Sequence, residues 1–131
     1  MKPIAIGTDD FKTIIDNNGL FIDKTLFIKE IIDDISAVLL FPRPRRFGKS
    51  LNMSMLKYYF DITLDSKYLF KGLKILECGD KYLNEMNKYP AVSLTLKECK
   101  KATYEDFLMS FKTLISNLYY NYQFLLDSPL I

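Results

Sequence analysis

The sequence FPRPRRFGKSLNMSML, residues 41–56, decides how the chain is expected to fold. It begins where residues 36–41 (SAVLLF) end, a short apolar run of strand formers that predicts a strand buried on both faces. Pro42 and Pro44 terminate this run, because proline lacks an N–H and restricts the residue before it. Good helix formers with apolar residues on nearly every side then predict a core helix over Lys49–Phe60.

The remaining chain extends this pattern in both directions. Thr8, Asp9 and Asp10 offer caps for a short helix through about Asp16, and Asp23 can cap a second helix, so residues 1–35 are interpreted as a helical lead-in. Residues 91–96 (AVSLTL) predict another strand, and Thr103 begins a long helix with an apolar face that we expect to be buried.

The predicted fold class follows from the order of these elements. Strand, helix, strand and helix in succession imply right-handed parallel crossovers. We therefore expect an α/β fold that begins at residues 36–131, with parallel strands and flanking helices, and we expect residues 1–131 to be about one domain or a piece of a larger one.

Composition excludes several classes of protein. Hydrophobic residues make up 49% and charged residues 26% of the 131, which excludes a disordered chain. Because histidine is absent, Ser-His and Cys-His nucleophilic catalysis are excluded, and a zinc site has almost nothing to bind it. Cys78 and Cys99 are interpreted as buried thiols. Residues 37–41, the longest apolar stretch, are too few to cross a bilayer, so we expect a cytoplasmic protein without membrane contact.

The arginines are concentrated at one place. Arg43, Arg45 and Arg46 are the only arginines among 18 basic residues, and the rest are lysines. Because arginine offers a planar fork of donors that suits phosphate and carboxylate, the cluster favours an anion site or a fixed network of ion pairs. A solvated turn is the alternative.

Gly48, Lys49 and Ser50 lie between the predicted strand and the core helix, in the order that a phosphate-binding loop requires. Glycine lets the backbone approach a phosphate, lysine reaches the β- and γ-phosphates, and a hydroxyl holds Mg²⁺. Arg43 replaces the first glycine of the G-x-x-x-x-G-K-[ST] pattern. Either the loop therefore opens differently, helped by the prolines, or it is not a phosphate loop.

The sequence resembles the AAA-ATPase-like proteins of bacteria and archaea from Ile6 to its end. The matching segments include Ile6-Gly7 with Phe11, residues 21–28 (FIDKTLFI), residues 43–52 (RPRRFGKSLN), Ser54-Met55-Leu56 with Phe60, residues 69–73 (LFKGL), and Tyr89-Pro90. In that family the loop typically reads R-P-R-R-F-G-K-[ST]. The resemblance thus implies that Arg43 is the family's own variant of a P-loop.

The resulting hypothesis is an ATP-binding module with Mg²⁺ as cofactor. Lys49 contacts the β- and γ-phosphates and is the candidate catalytic residue, and Ser50 holds the metal. The full set of candidate nucleotide-binding residues is Arg45, Arg46, Phe47, Gly48, Lys49, Ser50 and Leu51.

The resemblance also implies a longer protein, with a Walker B strand downstream and often a nuclease-like domain that could bind nucleic acid. Asp127 follows an apolar run but is rejected as a Walker B carboxylate, because Ser128-Pro129 comes at once. Asp23 is interpreted equally as a residue near the nucleotide base or as a helix cap. We therefore expect this stretch alone to bind ATP without useful hydrolysis.

A binding module of another class is the alternative. Arg43, Arg45, Arg46 and Lys49 could contact a nucleic-acid backbone, with Gly48-Lys49-Ser50 occurring by chance. The net charge of +2 does not favour this alternative, and apart from Phe47 no aromatic residues for base stacking interleave with the basic run.

Overall fold

The computed structural model describes residues 1–4, 6–44 and 47–129, and the regular structure in these residues is helical. Five α-helices follow one another along the chain: α1 (Phe11–Asp16), α2 (Leu26–Asp33), α3 (Lys49–Phe60), α4 (Asp80–Leu83) and α5 (Tyr104–Asn121). Four short 3-10 helices connect or follow them, at Lys67–Phe70, Lys74–Glu77, Lys97–Cys99 and Gln123–Asp127.

The predicted α/β class with parallel strands is wrong for this structure. The described residues contain no strand, and their β pairing is an isolated parallel bridge between Asp61 and Tyr89. Residues 36–41 and 91–96 are not strands, and Val38 and Leu40 are each 84% exposed instead of buried. The physical reason is that strand propensity describes a fit to a pleated surface, whereas a strand needs a partner with which to exchange hydrogen bonds.

The chain divides into two compact units, Met1–Ala91 and Val92–Ile131. The hydrophobic core of the first unit is formed by residues of α1, α2, α3 and the segment after α3. Its fully buried side chains include Phe11, Ile28, Met55, Tyr59, Leu69, Phe70 and Ile75. The division into a lead-in at 1–35 and a core at 36–131 stays a prediction.

Phe11 lies at the centre of an aromatic cluster in this core. Its side chain is fully buried, and its ring centroid lies 5.2 Å from that of Phe21 and 5.0 Å from that of Phe70. Tyr59 packs edge-on against Phe70 at 5.2 Å. Aromatic pairs in this range add to the stabilisation that burial provides, so the cluster holds α1 and α3 together.

The segment before α2 is joined to the chain that follows Gly72 by two side chains. Asp23 accepts hydrogen bonds from the Thr25 N–H and the Lys74 N–H, both at 2.9 Å, and Thr25 Oγ1 accepts from the Ile75 N–H at 3.2 Å. Burial alone would raise the pKa of Asp23, but hydrogen bonds from the Thr25 hydroxyl, then from the Lys74 and Thr25 N–H groups, outweigh it and the pKa is lowered. Asp23 therefore has a structural role, but the prediction that it caps α2 is wrong, since the N-cap of that helix is Thr25.

Asp33, the last residue of α2, connects that helix to α4. Its carboxylate accepts hydrogen bonds from Lys29 at 2.8 Å, from Lys81 at 2.5 Å and from the Tyr82 hydroxyl at 2.9 Å. Hydrogen bonds from Lys29, then Lys81 and Tyr82, lower the pKa of Asp33 well below its usual range. The ionised carboxylate is thus favoured in the folded state.

We expect this cluster to make stability depend on pH at the acid end. Because folding lowers the pKa of Asp33, its stabilising effect is full above the ordinary value of 3.8 and disappears as the pH falls below that value. Asp33→Asn should therefore lower the melting temperature at about pH 6 and matter less at about pH 2. Thermal unfolding of both proteins at the two pH values checks this. An equal difference in melting temperature at both pH values would contradict this expectation.

The second unit contains α5, whose start is as predicted. Thr103 caps the helix by accepting a hydrogen bond from the Asp106 N–H at 3.2 Å. The expectation of a buried face is wrong, since no residue of α5 is buried; its apolar positions, such as Phe111 and Leu118, are half-buried. In the part of the chain that the structure describes, no helix is long and apolar enough to span a membrane.

Candidate phosphate-binding site

The candidate site lies at the N-terminus of α3, where Gly48 is the cap residue. Gly48 has left-handed backbone angles, φ 73° and ψ 21°. A Cβ added to it would meet no atom within 4 Å, so glycine is required here by its backbone angles and not by lack of space. The Asn52 N–H donates to the Gly48 carbonyl at 2.9 Å, which starts the helical hydrogen-bond ladder directly after the glycine.

The first turn of α3 contains three of the candidate residues. Lys49 is exposed, and Ser50 and Leu51 are partly buried. The N–H groups of a first helical turn point out of the helix end and have no acceptor within their own helix, and the helix dipole adds partial positive charge there. Together with the lysine, this end of α3 therefore has the electrostatic character that favours an anion.

The structure describes only some of the candidate residues before Gly48. Phe47 is 59% exposed, whereas Arg45 and Arg46 lie outside the described residues. Arg43 is exposed, and its backbone is not left-handed, since Asn18 and Asn87 are the non-glycine residues of positive φ in the described ranges. The chain therefore opens at this point without the glycine geometry of the usual pattern, and this is compatible with both alternatives for Arg43.

The opposite end of α3 is tied down by protein groups. The Asn87 side-chain amide donates to the Tyr58 carbonyl at 3.2 Å and to the Asp61 carbonyl at 2.9 Å, and the Ser66 hydroxyl also donates to the Tyr58 carbonyl. The Asn87 N–H donates to the Tyr59 carbonyl at 2.7 Å. These bonds satisfy carbonyls that a helix C-terminus leaves without partners, so α3 is held in place from its far end.

Tyr59 adds a further anchor within α3. Its ring is fully buried, and its hydroxyl donates to the Tyr82 carbonyl at 2.8 Å. Burial raises the pKa of this hydroxyl to about 12, so it remains a neutral donor at ordinary pH. Helix α3 is thus a rigid support for the residues at its N-terminus.

A cavity of about 770 Å³ opens at that N-terminus. One wall is the start of α3, and the other is the segment that precedes α1. Its lining residues are Ile6, Gly7, Thr8, Asp9, Gly48, Lys49, Ser50 and Leu51.

The segment before α1 is held against α3 by Ser54. The Ser54 hydroxyl donates to Asp10 Oδ1 at 3.0 Å and accepts from the Phe11 N–H at 3.0 Å. Since Ser50 and Ser54 are four residues apart, they share one face of α3. The residues just before Asp10 are therefore directed past the first turn of the helix, where they form the second wall.

Asp10 is ionised in this arrangement. Burial alone would raise its pKa, but hydrogen bonds from Thr13 and Ser54 outweigh it, and the pKa of Asp10 is lowered. Its other oxygen accepts from the Thr13 N–H at 2.9 Å, which makes Asp10 the N-cap of α1. Asp10 is thus a structural residue that positions the segment before α1, and it does not line the cavity.

The second wall is the part of the site that the sequence interpretation missed. Ile6 and Gly7 entered that interpretation only as residues shared with a family, and Asp9 only as one of three possible caps. The structure assigns the cap to Asp10 and places Asp9 at the cavity. The available signal was the pair of adjacent acids, Asp9 and Asp10, of which one caps α1. The sequence did not indicate which of the two would lie at the cavity.

The residues present are compatible with Mg²⁺ bound together with phosphate. Mg²⁺ is usually bound by one or two protein oxygens, with phosphates and water completing the shell. Ser50, which carries a hydroxyl, and Asp9, which carries a carboxylate, both line this cavity. Within the described ranges, there is no group of three or more His, Cys, Asp or Glu side chains that could hold a metal ion.

Comparison with known proteins gives the class of this chain. The family described as "Predicted AAA-ATPase" matches residues 5–128, which is nearly the whole sequence. The chain belongs to the AAA-ATPase-like family. No curated protein and no solved structure matches it.

Proposed function

We propose that this protein binds the phosphates of Mg-ATP at the N-terminus of α3, as the nucleotide-binding part of an ATPase. The observation that carries the proposal is the arrangement of Gly48 and Lys49: a left-handed glycine, then a helix whose first lysine lines a cavity of about 770 Å³. Membership of the AAA-ATPase-like family supports the same class of activity.

The size and polarity of the cavity suit a nucleotide. Ligand pockets in proteins commonly enclose roughly 300 to 1,000 Å³, and this cavity lies within that range. Its phosphate end is the first turn of α3, where the N–H groups and the helix dipole favour an anion. The second wall, from Ile6 to Asp9, leaves room beside the phosphates for the rest of the nucleotide.

Each candidate residue has a role in this proposal. The Lys49 ammonium contacts the β- and γ-phosphates, and the Ser50 hydroxyl contacts the metal. Backbone N–H groups of Phe47, Gly48 and Leu51 donate to phosphate oxygens. Arg45 and Arg46 are proposed to add donors from the preceding loop.

Calorimetric titration with Mg-ATP tests the proposal. We expect Lys49→Ala to weaken binding at least about tenfold, since a charge-assisted hydrogen bond contributes on the order of 1.5 to 3 kcal/mol. Lys57→Ala, which removes a lysine near the other end of the same helix, is the control and should bind as the wild type does.

Two results would contradict the phosphate assignment. One is equal affinity of the wild type and the Lys49 variant for Mg-ATP. The other is that the protein binds an oligonucleotide instead of ATP, with an affinity that falls steeply as the salt concentration rises. That result is expected for a contact between basic residues and a nucleic-acid backbone.

A further inference from the structure

We propose that Asp9 supplies a carboxylate oxygen to the Mg²⁺ of bound Mg-ATP, in the cavity that Ser50 also lines. This inference rests on the proposed function and extends it, because it assigns a metal-binding residue to the wall formed by the chain before α1. The observation behind it is that Asp9 and Ser50 line the same cavity although they lie 41 positions apart in the sequence.

The position of Asp9 is fixed by its neighbours. Asp10 is held by Ser54 at 3.0 Å, and Phe11 is fully buried and bonded through its N–H to the same hydroxyl. Asp9 therefore directly precedes two anchored residues and is not part of a loose terminus. Ser54 lies one helical turn after Ser50, so the anchor and the proposed metal site are neighbours on one face of α3.

Electrostatics indicate what an acid at this place would bind. A carboxylate at neutral pH only accepts hydrogen bonds, and phosphate oxygens are acceptors as well, so direct contact between them is repulsive. A divalent cation between the two anions removes this repulsion and binds both. Of the eight described residues that line the cavity, Asp9 is the only acid and Lys49 the only base.

The chemistry of Mg²⁺ agrees with this donor set. Mg²⁺ prefers hard oxygen ligands in octahedral geometry and keeps several waters, so it needs few protein groups. One carboxylate and one hydroxyl, together with phosphate oxygens, make a conventional set. The carboxylate is the more important of the two for metal affinity, because it is charged.

The test compares binding of ATP with and without the metal. Calorimetry is performed on the wild type and on Asp9→Asn, with ATP in excess Mg²⁺ and with ATP in EDTA. We expect Asp9→Asn to weaken binding of Mg-ATP at least about fivefold, while binding of metal-free ATP stays unchanged or becomes tighter. Asp65→Asn, which neutralises an exposed carboxylate outside the cavity, is the matched control and should change neither value.

Two further variants keep the test decisive. Asp9→Glu retains the carboxylate and should keep part of the preference for Mg-ATP, whereas Asp9→Ser should lose it as Asp9→Asn does. Thermal unfolding of each variant shows that the fold is intact; because Asp9 is exposed, we expect melting temperatures close to that of the wild type.

The remaining outcomes would overturn the inference in recognisable ways. An equal loss of affinity with and without Mg²⁺ would mean that Asp9 contacts the nucleoside, and an equal gain would mean that it only repels phosphate. If Lys49→Ala weakens binding but Asp9→Asn does not, the metal assignment falls and the proposed function stands. If the wild type binds ATP under neither condition, both fall.

Discussion

Replacing Gly48 with valine is expected to abolish binding of Mg-ATP while leaving the helical fold in place. The backbone of Gly48 is left-handed, with φ 73°, a conformation that costs an L-residue about 1–2 kcal/mol and a β-branched one more. Valine should shift the chain out of this conformation. The N–H groups at the start of α3 would then no longer converge on the phosphates.

Gly72 provides the matched control for this substitution. Its φ is 79°, and a Cβ there also meets no atom within 4 Å, but it does not line the cavity. Gly72→Val should therefore lower the melting temperature by a similar amount and leave ATP affinity unchanged. Calorimetry together with thermal unfolding separates the two effects. A folded Gly48→Val protein with wild-type affinity would show that the turn has no part in binding.

Replacing Phe11 with alanine is expected to lower the free energy of unfolding by about 3–5 kcal/mol, the usual cost of removing a buried phenylalanine. The ring is fully buried and lies against Phe21 and Phe70. For a chain with a total stability of about 5–15 kcal/mol, such a loss is a large fraction.

Denaturant unfolding measures this loss directly. Ile35→Ala serves as the control, because Ile35 is fully exposed, and it should change stability by no more than about 0.5 kcal/mol. If Phe11→Ala cost as little as the control, Phe11 would not lie in the core, and the anchor that places the segment before α1 at the cavity would be in doubt.

The helices could largely be predicted from the sequence because their signals are local. The bounds of α3 coincide with the stretch Lys49–Phe60 that helix-forming composition predicts. Thr103 caps α5 as expected, and α1 ends at Asp16, before two asparagines of which Asn18 is left-handed. Caps and left-handed residues act within one turn, so the sequence alone contains the information.

The strands could not be predicted in the same way. Residues 36–41 and 91–96 have the composition of strands, but the described chain pairs neither of them in a sheet. Pairing is a contact between distant segments, and composition reports only that a segment would fit such a contact. The expected burial of Val38 and Leu40 depended on that pairing and was wrong for the same reason.

The candidate site also has one part with a local sequence signal and one part that depends on a distant contact. The order of Gly48, Lys49 and Ser50 alone predicts a phosphate-binding turn, because such a turn is built from consecutive residues, and this role stays a prediction. The wall at Ile6 to Asp9 depends on the hydrogen bond between Asp10 and Ser54, which are 44 positions apart. A contact of that separation leaves no periodic or local mark in the sequence.

The central claim is that ATP binds at the N-terminus of α3, and amide chemical shifts in a titration of isotope-labelled protein with Mg-ATP test it most directly. The account predicts that the largest changes fall on residues 48–51 and 6–9, which line the cavity, and that in Lys49→Ala they require at least about tenfold more Mg-ATP. Changes confined to other parts of the chain, such as α5, or no changes at saturating Mg-ATP, would contradict it.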